Sequence, residues 1–177
     1  MSRTALALVL VAASAPAASA GTYLGLGIGP SPATSGDLEM KEDGRSGRFH
    51  VGYSFARVAV EGLISRADMY RLDHPYTWTS LALAGKLNFP LASNFEAFGR
   101  AGIQYSSVDR TDYDSTFSGA GFLVGGGFEY RVDLGAVAGS IFVDYTIEHA
   151  KTSSPQRENM EFGLTSRVWT LGATVSL

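Results

Sequence analysis

Cysteine is absent from the 177-residue sequence, which excludes disulfides and a thiol-linked lipid anchor. Beyond residue 20 no run approaches the ~20 apolar residues that a membrane-spanning helix needs. Charge of one sign is scarce as well. Fourteen lysines and arginines against 17 acids leave a net charge of −3, and nothing points to a nucleic-acid partner. The three histidines, His50, His74 and His149, lack ligand spacings such as His-Glu-x-x-His, so no metal is expected. Gly25-Leu26-Gly27-Ile28-Gly29 is rich in glycine, but no Gly-Lys-Ser/Thr and no helix follow it as in a phosphate cradle. No cofactor is expected.

What the chain does contain begins with an export leader. Arg3 supplies a positive start, Ala5 to Ala12 an apolar stretch, and Ala18-Ser19-Ala20 a small-residue cleavage site. Cleavage is expected after Ala20, which makes residues 1–20 a signal peptide and residues 21–177 the folded domain. Glycine (21 residues) and aromatics (10 Phe, 8 Tyr, 2 Trp) are plentiful, while mean hydropathy is near zero. A β-barrel in a membrane has this profile, because its hydrophobicity sits on alternate residues.

The last stretch, Phe162 to Leu177, shows the alternation most clearly. Trp169, Leu171, Ala173, Val175 and Leu177 are apolar, and Thr170, Gly172, Thr174 and Ser176 are small or polar. That is the two-residue period of a strand with one apolar and one polar face. The spacing of Thr170, Gly172, Val175 and Leu177 resembles the C-terminal signal read by the bacterial barrel-assembly machinery, with Leu where an aromatic is usual.

Eight such segments can be read: Thr22–Gly29, then roughly Gly47–Phe55, Arg57–Arg66, Thr77–Phe89, Phe95–Ser106, Gly119–Arg131, Ala136–Glu148 and the closing one. Their connections alternate. Pro30–Ser46, Ala67–Tyr76, Ser107–Ser118 and Ala150–Glu161 are long; those near Phe55-Ala56, Pro90–Asn94 and Val132–Gly135 are short. Outer-membrane barrels have short periplasmic turns and long extracellular loops. The expectation is therefore all-β: an eight-stranded antiparallel up-and-down transmembrane barrel in the bacterial outer membrane, with both termini in the periplasm.

Opposite the apolar residues fall Arg48, His50, Glu61, Lys86, Glu96, Arg100, Glu129, Arg131, Asp144 and Glu148. The near balance of signs fits a lumen in which charges pair, since unpaired buried charge is very costly. Glu61, Glu129, Lys86, Arg100 and Arg131 are expected to form the heart of that network. Inward glycines at 25, 27, 52, 102, 125, 127 and 172 would make room for the long side chains. A soluble lipocalin-like barrel would need the reverse, apolar residues inside. Tyr53, Phe55, Phe89, Phe95, Phe128 and Tyr130 cluster at the expected periplasmic ends, as in an aromatic girdle.

Two stretches carry a family resemblance: Gly125-Gly126-Gly127-Phe128-Glu129-Tyr130-Arg131 followed by Phe142-Val143-Asp144-Tyr145, and the closing Leu171 to Leu177. They resemble the small OmpA-like and OmpX-like outer-membrane barrels, a fold in the outer membrane and not a particular activity. The sequence stops at the eighth segment, so the peptidoglycan-binding domain of longer OmpA proteins is not expected.

Enzymatic readings need more than these motifs provide. Some small barrels are lipid A-modifying enzymes, and His149, Ser153 or Ser154, and Glu161 could meet as a hydrolase triad. Their spacing is not the His-x-Ser of the deacylase barrels, and no amphipathic helix precedes the first segment as in the palmitoyl-transferase barrels. Asp109, Asp112 and Asp114 could offer oxygens to calcium, though a solvated acidic loop has the same composition. Arg66, Arg71, Arg110, Lys151 and Arg157 would lie near lipopolysaccharide phosphates, with which arginine pairs well. The expectation is a monomeric, non-enzymatic barrel that displays surface loops to lipopolysaccharide or other ligands. A narrow or gated channel is the alternative, since eight strands leave an interior that side chains can fill. A lipid A-modifying enzyme is third.

Overall fold

The computed structural model describes residues 20–36, 44–71, 74–110, 115–133, 138–153 and 161–177. They form nine strands: β1 Gly21–Pro30, β2 Ala33–Gly36, β3 Arg45–Phe55, β4 Val58–Arg71, β5 His74–Pro90, β6 Phe95–Arg110, β7 Ser115–Asp133, β8 Ala138–Ser153 and β9 Glu161–Ser176. The expected leader, residues 1–20, lies outside the described residues except for Ala20. All pairings are antiparallel, in the order β1-β3-β4-β5-β6-β7-β8-β9-β2, and β9 also pairs with β1 to close the ring. β1 and β2 share one position in the wall. Tyr23 to Ile28 pair with Ser176 to Leu171, and Ala33 to Gly36 pair with Arg167 to Leu164. The result is the eight-stave up-and-down barrel that the alternation predicts. At its seam the Leu177 amide donates to the Thr22 carbonyl at 2.9 Å.

Three short connections lie at the end that carries the termini. Ala56-Arg57 joins β3 to β4, residues 91–94 join β5 to β6, and residues 134–137, outside the described set, join β7 to β8. The tightest turn holds Ala56 at φ 57°. A left-handed conformation costs an L-residue about 1–2 kcal/mol, a strain the flanking β3–β4 ladder must hold.

The faces sort as expected over the lower two-thirds of the wall. Leu26, Ile28, Ile64, Leu81, Leu83, Ile103, Phe122, Ile141 and Leu171 all point outward, each at least half exposed. Glu61 and Asp144 are fully buried inside. An apolar exterior and a charged interior exclude the soluble lipocalin-like alternative. The expected girdle aromatics also face outward, and Phe95 stacks on Phe128 with centroids 5.5 Å apart.

The upper third departs from the expected boundaries. The strands run on: β4 reaches Arg71 and β5 starts at His74, so most of the ten-residue loop Ala67–Tyr76 is ladder, with Met69 opposite Tyr76. Likewise β6 and β7 extend to Arg110 and Ser115 through the expected loop Ser107–Ser118. The reason is an inversion of phase. Along β4 the outward series changes from Val60 and Ile64 to Arg66 and Asp68, while the inward series changes from Glu61 to Ala67 and Met69. The same exchange occurs at Thr79/Trp78, Ser107/Val108 and Arg167/Val168. Above these points the barrel is built like a soluble one, apolar inside and polar outside. The inversion marks where the strands leave the apolar belt, and Tyr105, Phe122 and a Tyr145–Trp169 pair (centroids 4.7 Å apart) sit just below it. Aromatic rings favour that interfacial level.

Leu83→Arg, on the outer face midway along β5, is expected to destabilise the barrel by about 2–4 kcal/mol in reversible unfolding from lipid vesicles. An unchanged midpoint would mean that this face does not meet lipid.

Candidate functional site

The lumen holds most of the polar chemistry in the described residues. Alternation aims charged residues inward from six of the eight staves, β3 to β8, and barrel curvature brings them within reach of each other. Arg48 of β3 donates from Nη1 to both Asp144 oxygens, at 3.0 and 3.1 Å, and from Nε to Ser65 Oγ at 3.2 Å. Its Nη2 lies 3.5 Å from Glu148 Oε1. Asp144 of β8 also takes Arg100 Nη2 of β6 at 3.1 Å, and Arg100 Nη1 reaches Glu61 Oε2 of β4 at 3.3 Å. This last contact is an ion pair without hydrogen-bond alignment. Lys86 Nζ of β5 lies 3.8 Å from Glu61 Oε1 and donates to Glu129 Oε2 of β7 at 2.7 Å. Tyr23 of β1 donates to Glu61 Oε1 at 2.6 Å, and Ser140 donates to Glu129.

The sequence Glu148–Arg48–Asp144–Arg100–Glu61–Lys86–Glu129 therefore alternates in sign without a gap. It crosses the lumen and ties six staves together. Phe98 serves as an apolar floor for two of its cations, with Lys86 Nζ 4.5 Å and the Arg100 guanidinium carbon 5.0 Å from the ring centroid. Glu96 and Arg131 form a separate pair at 2.9 Å, with half of the Arg131 side chain exposed at the periplasmic mouth. Arg131 is thus peripheral to the network, while Asp144 and Arg48 are central to it. Their importance was not readable because it depends on which staves face each other across the lumen, about 100 residues apart in sequence.

His50 is buried and packs edge-on against Tyr23 and Phe142, at 6.0 and 5.4 Å between centroids. The inward glycines serve rings and backbone as well as charged chains. Gly25 lies against the His50 imidazole, Gly52 against the Tyr23 ring, and Gly172 against Phe142. A Cβ at Gly102 or Gly127 would strike the neighbouring strand's backbone.

Above the ion network lies a second layer. Ala67, Met69, Trp78, Val108, Leu164 and Val168 form one buried apolar cluster with Tyr76 packed against it. These residues belong to the phase-inverted part of the wall and carry no signal at the two-residue period of the belt. Below the network, a cavity of about 430 Å³ opens at the periplasmic end, where Tyr23, Lys86, Glu96, Glu129 and Arg131 line it.

Of the residues considered for hydrolysis, His149 and Ser153 stand apart. His149 faces outward, packs on Phe122 at 5.3 Å and contacts Thr165 Oγ1 at 2.9 Å. Ser153 lies four residues further along the same strand, about 13 Å away at the usual rise. Ser154 lies outside the described residues, as does the Glu161 side chain. Asp109 accepts a hydrogen bond from Thr116 at 2.7 Å, and Asp112 and Asp114 lie outside the described residues. Among the described residues no group of three or more His, Asp or Glu could hold a metal ion. Of the cations expected near lipopolysaccharide, Arg66 and Lys151 are exposed on the outer wall within β4 and β8 rather than in loops. Arg71 and Arg110 end β4 and β6 but their side chains are not described, and Arg157 lies outside the described residues. In the closing signal, Thr170 and Gly172 face the lumen while Val175 and Leu177 face outward.

A closed antiparallel ring with an apolar belt outside and a charged network inside defines an integral β-barrel protein of the bacterial outer membrane. The sequence matches the outer membrane protein beta-barrel domain over residues 4–176, and the chain belongs to that family. No curated protein sequence matches it. Among solved structures it is similar to Neisserial surface protein A, with a TM-score of 0.71 and 19% identity over 92% of this chain and 99% of that one. It is similar also to Ail, the attachment invasion locus protein of Yersinia pestis (TM-score 0.56, 14% identity, 90% and 100% covered). OprG from Pseudomonas aeruginosa gives a TM-score of 0.54 at 16% identity over 89% and 96% of the two chains. At these identities the likeness is one of fold.

Asp144 separates two arginines that would otherwise face each other. Asp144→Ala should therefore cost about 3–5 kcal/mol in unfolding free energy. Arg131→Ala at the half-exposed mouth should cost about 0–1 kcal/mol. Similar losses at both sites would contradict the central place of Asp144.

Proposed function

We propose that the protein is a monomeric, non-enzymatic barrel of the outer membrane. In this reading a solid interior makes it a rigid support, and the outer rim is its interacting part. The observation that carries the reading is the double closure of the lumen, by the ion network in the middle and the Met69–Trp78 cluster above it. A solute entering from the periplasm meets paired charges and then an apolar wall. The separation of His149 from Ser153 supports the non-enzymatic part. Two structures that share the fold carry the names of a surface protein and an attachment protein, roles of the proposed kind. The exposed rim cations Arg66 and Lys151, with Arg71, Arg110 and Arg157, would meet lipopolysaccharide phosphates. The assembly machinery would read Thr170, Gly172, Val175 and Leu177. A narrow or gated channel is the second reading, favoured by the periplasmic cavity of about 430 Å³.

Single-channel recording of the refolded protein in a planar bilayer separates the two, with the heat-dependent gel shift as folding control. Silence from a folded barrel is the expected result. Steady conductance that changes in Arg100→Gln or Glu129→Gln would make the lumen a channel. The proposed leader has its own test: the intact mass of protein isolated from outer membranes should correspond to a chain starting at Gly21. A chain that retains residues 1–20 would refute cleavage.

A further inference from the structure

The wall has a fault between β1 and β2. Ile28 pairs with Leu171 and Ala33 with Arg167, so four residues (29–32) stand opposite three (168–170). This is a bulge, and two of its residues, Pro30 and Pro32, have no amide to give to a ladder. The chain dips inward there. Pro32 is fully buried, the Ser31 amide donates to the Gly44 carbonyl at 3.1 Å, and Ser31 Oγ donates to the Asp68 carbonyl at 3.2 Å. The dip leaves a recess of about 520 Å³ in the lipid-facing surface, with Ile28, Pro30, Val143, Trp169 and Leu171 around it and Arg45 at its edge. That volume lies within the ~300–1,000 Å³ of ligand pockets.

The level of the recess decides what fills it. Ile28, Leu171 and Val143 belong to the apolar belt, so the floor is at acyl-chain depth. Trp169 is the last apolar outward residue of β9, and the next outward residue, Arg167, lies past the phase inversion. Arg45 ends the outward series of β3 on the other side of β1. Neither arginine makes an ion pair with a described residue, and both are exposed. Arg45 therefore stands at the edge of an apolar recess in the outer half of the wall, and Arg167 is the next outward residue above Trp169 on β9. We propose that this recess is a binding site for one phosphorylated lipid of the outer leaflet, with an acyl chain over Ile28 and Leu171 and a phosphate held by Arg45 and Arg167. Arginine takes phosphate oxygens in bidentate fashion, and bilayer packing does not leave such a recess empty, because atoms lining a void lose their contacts. Neither arginine is among the rim cations discussed above, and the site does not depend on whether the lumen conducts.

Trp169 provides the readout. In the full chain carrying Trp78→Phe it is the single tryptophan, since the sequence has two. The protein is refolded into phosphatidylcholine vesicles holding a minor fraction of bromine-labelled phosphatidylglycerol or, in parallel, of bromine-labelled phosphatidylcholine. At equal mole fraction, the labelled anionic lipid should quench Trp169 about threefold more than the labelled zwitterionic one, by its pairing with arginine. Unlabelled lipopolysaccharide should relieve that quenching. The excess should vanish in Arg45→Gln/Arg167→Gln, and also in Val143→Phe, which fills the recess but keeps both cations. If Trp78→Phe does not fold, the parent protein serves, because Trp78 is shielded inside the lumen and adds only a constant background. Equal quenching by the two labelled lipids overturns the proposal, as does an excess that lipopolysaccharide does not relieve or that persists in either variant.

Discussion

Everything in this barrel depends on β9 finding β1. The hydrocarbon of a bilayer offers no water to an unpaired amide, so an open sheet edge there would leave a row of unsatisfied groups costing several kcal/mol each. Closure removes both edges, and it must be made between segments some 150 residues apart, from Tyr23–Ser176 to Ile28–Leu171. Once the ring is closed, the side chains have only two places to go. Those that point outward meet lipid and must be apolar, and those that point inward meet each other across the lumen. The charged interior follows from that confinement. Seven ionisable groups share an eight-stave lumen because each lies beside a partner of opposite type, from Glu148 to Glu129.

The same constraint explains what could be read from the sequence. Within the belt each face has one solvent, so the two-residue period is clean. The stave count and the outward set from Leu26 to Leu171 were legible there, and so was the inward side of Glu61, Lys86, Arg100 and Asp144, though not the half-exposed place of Arg131. Above the belt the outer face meets water, the inner face meets the apolar cluster, and the alternation changes phase. A reading that follows one phase stops at the inversion, which is why Met69 and Val108 looked like loop rather than strand. Pairing across the lumen was not legible either. Asp144 takes Arg48 and Arg100 because β3, β6 and β8 converge there, and convergence is a property of the closed ring. The break at Pro30–Pro32 was hidden for a related reason: two prolines near a strand end look like the start of a loop, whereas β2 resumes the same stave three residues later.

The inversion also fixes the barrel in depth. A slip of one residue along any stave would turn Glu61, Arg100 or Asp144 toward lipid, and the cost of exposing a charge there strongly selects the register. A slip of two residues preserves the faces and would escape that penalty in a strand of uniform alternation. Here it does not, because moving β9 by two places would carry Arg167 into the belt and moving β4 by two would carry Arg66 in. Inside, the same move would slide Val168 or Ala67 toward the ion network and separate its partners. The ionic middle sets which face is which, and the phase inversion sets how far each stave projects.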